Sequence, residues 1–116
     1  MNYELDLHTH TLASGHAYNT MTEMAIAARE AGLKLLGITD HAPAMPGSCH
    51  KYHFENFRII DRQAYAVPLM LGVELNILDS NGSVDLPSEL LEAMDYSIAS
   101  LHPPCVPFMS KVDTTN

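Results

Sequence analysis

Seven of the 116 residues are histidine, and six side chains that can ligate metals stand at intervals that suit a metal centre. His8 and His10 are two apart in Asp6-Leu7-His8-Thr9-His10. Side chains two apart on an extended segment leave from the same face, so these imidazoles can share one divalent ion. His16 follows six residues later in a loop and can reach over toward a second or third ion. His41, Glu74 and His102 complete the series, at separations of 41 − 8 = 33, 74 − 41 = 33 and 102 − 74 = 28. A carboxylate next to an apolar strand is costly without a partner, and Glu74 is accounted for as a bridge between two ions. Imidazole with carboxylate is a borderline donor set that suits Zn2+, Mn2+ or Fe2+ better than Ca2+ or Mg2+. Such a centre can hydrolyse esters with metal-activated water.

The elements that must position these groups can be read from the apolar pattern. Tyr3–Leu7 alternates as a short strand leading into His8, and Leu33–Thr39 is an apolar run ending at Asp40 and His41. Leu69–Val73 ends at Glu74, and Tyr96–Leu101 delivers His102. Between the first two runs, Thr20 and Glu23 form a capping box, and Met21, Met24, Ala25 and Ala28 make one helical stripe before Gly32. Phe54, Phe57, Ile60 and Tyr65 suggest a weaker second helix, Asp79–Ser83 a hairpin turn ending near Val84, and Pro87–Met94 a short helix. Strands alternating with helices indicate βαβ units and a parallel sheet. Successive strand ends of a parallel α/β barrel share one mouth, which would bring residues about thirty apart into a single site.

The remaining polar candidates have weaker claims. Asp40 is either an outer partner of the His41 ring or simply the end of its strand. His50 and His53 lie in the long loop after the second strand, as surface residues or as contacts to a substrate phosphate at the rim. Cys49 and Cys105 form no CxxC pair and are expected to be inert thiols in a reducing cytoplasm. Fourteen acids against six bases give a net charge of −8, which argues against a nucleic-acid surface. Bound metal ions could still supply positive charge for a phosphate. No apolar stretch is long enough for a bilayer, so no membrane partner is expected. The opening residues show no basic and apolar leader, consistent with a cytoplasmic protein.

Taken together, Asp6-Leu7-His8-Thr9-His10-Thr11, Ser14-Gly15-His16-Ala17-Tyr18, Ile38-Thr39-Asp40-His41, Gly72-Val73-Glu74-Leu75-Asn76 and Ser100-Leu101-His102 resemble the PHP superfamily (polymerase and histidinol phosphatase). The likeness extends to its YcdX-type bacterial phosphatases and covers essentially the whole chain. It implies an α/β fold: a parallel-stranded, distorted (βα)7 barrel, of which this chain would hold about the first four βα units. It also implies three zinc ions at the carboxyl mouth, with manganese or iron as alternatives. By position, His8 and His10 would bind the first ion, Glu74 would bridge to a second held by His102, and His16 and His41 would hold the third. The expected activity is phosphatase action on a small phosphorylated substrate, a PHP-type nuclease or proofreading domain and a non-catalytic metal-binding half domain being the rivals. Family members are longer, and their later strands supply a further His, an Asp and another His. Residues 1–116 are therefore expected to be the N-terminal part of a truncated domain, not necessarily active alone, whose open strand edge favours self-association.

Overall fold

The apolar runs lie side by side as parallel strands in a computed structural model that describes residues 4–105. Strands β1 (Leu5–Asp6), β2 (Leu35–Ile38) and β3 (Leu69–Leu71) form one sheet in that order. Strands β4 (Val73–Asn76) and β5 (Ser97–Ser100) form a second, also parallel. Only Gly72 separates β3 from β4, so one run of chain serves both sheets: its first half pairs with β2 and its second with β5. An isolated parallel bridge between His41 and Glu74 carries the pairing on past β2. The single strand expected over 69–73 is thus two strands, and Glu74 sits inside β4 instead of at a strand end. The architecture is α/β with parallel strands in open sheets; the described residues close no barrel. The first strand is also shorter than expected, and Tyr3 lies outside the described residues, as does the tail from residue 106 onward.

Helix α1 (Met21–Glu30) follows its sequence signals closely. The Thr20 hydroxyl accepts from the Glu23 amide at 3.1 Å while the Glu23 carboxylate accepts from the Thr20 amide at 2.9 Å, which satisfies two donors that a helix start leaves open. Ala25 and Ala28 are buried against the strands, with Met21 and Met24 packed beside them. The second helix is not continuous. It breaks into α2 (Tyr52–Glu55), a 3-10 turn at Asn56–Ile59 and another at Arg62–Ala64. Phe54 and Phe57 bury as expected, and Ile60 and Tyr65 pack partly buried against the same core, but the backbone reaches them through short 3-10 turns instead of one continuous helix. The Asp61 side chain then caps the last turn by accepting from the Gln63 amide. The hairpin turn forms at Asp79–Ser83, with Ile77 bridged to Val84. Pro87 is the N-cap of α3 (Ser88–Ala93). Among the described residues no helix is long and apolar enough to cross a membrane.

Two braces hold β5 onto the rest. The Tyr96 hydroxyl donates to the Leu7 carbonyl at 2.5 Å, so its ring runs from the start of β5 to the far edge of the first sheet. The ring and its backbone lie against Gly37 and Gly72, where a side chain would obstruct them: a Cβ on Gly72 would sit 2.5 Å from the Tyr96 carbonyl oxygen. The second brace is Asp95. Its carboxylate accepts from the Leu71 amide at 2.7 Å and is gripped by both guanidinium nitrogens of Arg62. Partial burial pushes the Asp95 carboxyl up, but the Arg62 and Leu71 contacts outweigh it and hold the group below its ordinary value.

The Gly72 contact is with backbone and cannot be relieved by a rotamer change. Gly72→Ala is therefore expected to lower stability by about 1–3 kcal/mol, read as a lower denaturant midpoint with unchanged slope. Because the folded-state pKa of Asp95 is depressed, its stabilising effect is present above the unfolded value of about 3.9 and is lost as pH falls through the lower folded value. Asp95→Asn should accordingly flatten the acid limb of a stability–pH profile; an unaltered limb would rule out this role.

Candidate metal centre

The Glu74 carboxylate is almost wholly removed from water, yet it lies on a strand flanked by apolar residues. Its backbone is fixed by the segment just after β2: its amide donates to the Asp40 carbonyl at 3.0 Å and its carbonyl accepts from the Ala42 amide at 3.0 Å. Imidazoles surround its two oxygens in pairs. His8 Nε2 lies 2.6 Å and His10 Nε2 3.2 Å from Oε1. His102 Nε2 lies 3.0 Å and His41 Nδ1 3.9 Å from Oε2. Ligand atoms of His8, His10 and Glu74, and separately of His41, Glu74 and His102, fall within 4.8 Å of one another. The rings of His10 and His41 stack at 4.4 Å, nearly coplanar in tilt, which ties the two groups together.

This donor set fits divalent metal. His41 Nδ1 is buried and has no hydrogen-bond partner, a state that is costly for a polar atom unless a ligand takes its lone pair. Burial pushes the His41 pKa down, and the neighbouring His10, His102 and His16 reinforce this against the pull of Glu74. A neutral ring is the form that ligates. Burial would raise Glu74, but hydrogen bonds from His8 and Ser100 and the surrounding imidazoles overcome it, and the carboxyl is held below its ordinary value. An ionised carboxylate beside a neutral imidazole is the combination a divalent ion needs.

The loops reach the site because they are tied to β2. Thr9, between the first two histidines, accepts from the Thr39 amide at 2.8 Å and donates its hydroxyl to the Gly37 carbonyl at 2.6 Å. Asp40 is fully buried and accepts from the Thr11 amide at 2.6 Å, the Thr11 hydroxyl at 2.7 Å and the Ser14 hydroxyl at 2.8 Å. Burial acts to raise its pKa, and His53, Thr11 and Ser14 together bring it below the ordinary value. Asp40 is therefore the anchor of the loop that carries His10 and His16.

The other expected residues are placed differently. His16 is exposed; its ring is 6.2 Å from that of His41, and its Nε2 faces the Pro46 carbonyl at 3.0 Å, outside both groups of ligands. His53 is not at a loop surface: its Nε2 is buried 3.7 Å from Asp40, and its ring packs edge-on against Phe54 and Phe57. His50 is exposed, with its ring 4.3 Å from that of Tyr52. Cys49 and Cys105 are free thiols, and burial pushes both up, toward the unreactive protonated form. Sequence reasoning assigned no role to Ser14, Asn76 or Asp85, all of which touch the ligands or their partners. Asn76 offered one signal: a polar residue two positions from Glu74 on the same face of an otherwise apolar strand.

Asp40→Ala strands three donors at a buried site and is expected to cost about 1–3 kcal/mol for each one left unsatisfied. Equilibrium unfolding should show a loss of at least about 2 kcal/mol; a change within a few tenths would mean that Asp40 anchors nothing.

The sequence is similar to those of known proteins. The family model for the PHP domain matches residues 6–113. A "probable phosphatase" of Clostridium novyi is 49% identical over 106 residues, covering 91% of this chain and 43% of that protein. Another, from Aliivibrio fischeri, is 50% identical over 115 residues, covering 99% of this chain and 46% of its own length. A third, from Caldicellulosiruptor saccharolyticus, is 47% identical over 115 residues, with coverage of 99% and 48%. The chain thus spans about half the length of the curated relatives it matches. With the histidine and glutamate groups in place and the family model matching nearly end to end, the chain belongs to the PHP domain family.

Proposed function

We propose that this chain carries part of the site of a metal-dependent phosphomonoesterase, set in the mouth of a distorted (βα)7 barrel and holding more than one ion. The observation that carries the reading is Glu74, each of whose oxygens faces its own pair of imidazoles. A carboxylate so arranged can bridge two cations, with His8 and His10 on one side and His41 and His102 on the other. His16, beside His41, would join a third ion after turning from the Pro46 carbonyl. Zinc suits the donors best, with manganese or iron next. The relatives named as probable phosphatases support the same class of reaction.

Divalent ions held here would supply an acidified water and neutralise the charge on a phosphate ester. The chain's own part is positional. Glu74 is held through its amide and carbonyl by Asp40 and Ala42, and burial favours neutral His41, so the donor atoms are ordered before any substrate arrives. The acidic chain has no cationic stripe to hold a polynucleotide, which favours a small phosphorylated substrate. His50, exposed beside Tyr52, is the histidine of the long loop left to meet its phosphate.

The test is release of inorganic phosphate from p-nitrophenyl phosphate by protein loaded with Zn2+ or Mn2+. Removing even an outer partner of a metal ligand costs about 10–100-fold, so His8→Ala and Glu74→Ala should each lose more than about 100-fold. Full turnover in both variants would defeat the reading. Preference for a single-stranded oligonucleotide would replace it with a nuclease, and stoichiometric metal without turnover with a binding role.

A further inference from the structure

Two hydrogen-bond chains lead from aspartates to the imidazoles on opposite sides of Glu74. The first begins at Asp40. The Ser14 hydroxyl has one proton and gives it to Asp40 Oδ1 at 2.8 Å, because an ionised carboxylate can only accept. Its oxygen accepts from the His41 amide at 2.9 Å, which leaves one lone pair. His10 Nδ1 lies 3.3 Å from that oxygen and must be the donor. The second chain begins at Asp85. The Asn76 side-chain amide donates to Asp85 Oδ2 at 2.7 Å and to the Ala42 carbonyl at 3.2 Å. Both partners are pure acceptors, so the orientation of the amide is dictated chemically. Asn76 Oδ1 then faces His102 Nδ1 at 2.6 Å, and that nitrogen must carry the proton.

We propose that Ser14 and Asn76 are positioning residues that set His10 and His102 in the Nδ1–H tautomer, each directing a free Nε2 lone pair at a different oxygen of Glu74. The distances at the far side agree: His10 Nε2 is 3.2 Å from Oε1 and His102 Nε2 3.0 Å from Oε2. In the neutral ring the proton on Nδ1 leaves Nε2 bare, and neither contact is then a hydrogen bond. Each is a pair of facing lone pairs, an arrangement that is repulsive alone and attractive around a cation. The two chains thereby do what outer partners of metal-bound histidine generally do, fixing ring orientation and donor basicity. Asn76 is fully buried and Ser14 is fully buried, so water cannot substitute for either. The purpose assigned to the tautomers rests on the metal reading above; the tautomers themselves do not.

The experiment separates the two. Long-range 1H–15N spectra of the metal-free, 15N-histidine-labelled chain at alkaline pH report which ring nitrogen bears the proton, with His10→Gln and His102→Gln assigning the signals. Both rings are expected as Nδ1–H; an Nε2–H ring at either position overturns the proposal whatever any variant does. Titration with zinc chloride then tests the consequence. Ser14→Ala and Asn76→Leu should weaken zinc binding by about 10–100-fold, with the affected ring shifting toward Nε2–H. Asn76→Asp keeps an acceptor for His102 while placing a charge beside Asp85. It should therefore lose thermal stability yet retain the tautomer and near-parental zinc affinity, a split that a purely structural role does not produce. Equal zinc loss in Asn76→Asp and Asn76→Leu would overturn the positioning role. Parental chain that shows both tautomers but takes no zinc would refute the metal reading and uphold the tautomer assignment.

Discussion

An ionised carboxylate enclosed within a parallel strand has to be compensated, and the rest of the molecule follows from how that is done. Among the described residues, every basic group within ion-pair distance of Glu74 is an imidazole. Lysine or arginine would neutralise the carboxylate permanently. Imidazoles do so only when protonated, and burial opposes that for His41. What remains is a cluster of donor atoms whose mutual repulsion a divalent ion would relieve.

The surrounding hydrogen bonds serve this cluster more than they serve a core. Asp40, Thr9 and Ser14 fasten the first loop to the end of β2, and Asn76 with Asp85 fastens the end of β4 to the loop after His41. The apolar core lies elsewhere, where α1, the Phe54–Phe57 turn and α3 pack on the strands. Stability and chemistry are thus divided spatially: helices shield the strands, while β4 and the loops that follow β1, β2 and β5 carry the candidate donors.

Much of this was legible in the sequence because the signals were local or periodic. The capping box at Thr20 and Glu23, the Asp79–Ser83 turn and the four apolar runs each announce themselves within a few residues. The regular spacing of His8, His41, Glu74 and His102 gave the convergence that the structure displays. Other features depend on distant neighbours and leave no such trace. The division of one run at Gly72 goes with the close approach of Tyr96, and the second helix is broken into turns although Phe54, Phe57, Ile60 and Tyr65 all reach the core. His53 read as a loop residue because nothing nearby shows that Asp40 will be opposite it. His16 read as a ligand, and in the structure its ring turns to a carbonyl supplied by Pro46, thirty residues away.

The contact of Tyr96 with Leu7 spans 89 positions, and that of His8 with Glu74 spans 66. Closing separations of that size before any compensating interaction forms is slow, and it sets the order in which a nascent chain can mature. The first two histidines leave the ribosome long before Glu74, and the brace that secures β1 comes later still. His8, His10, His41, Glu74 and His102 therefore cannot converge until the last of them has been made. The proposed ion would be captured only once β5 has docked, and would then act as a latch between the β4–β5 pair and the first loop.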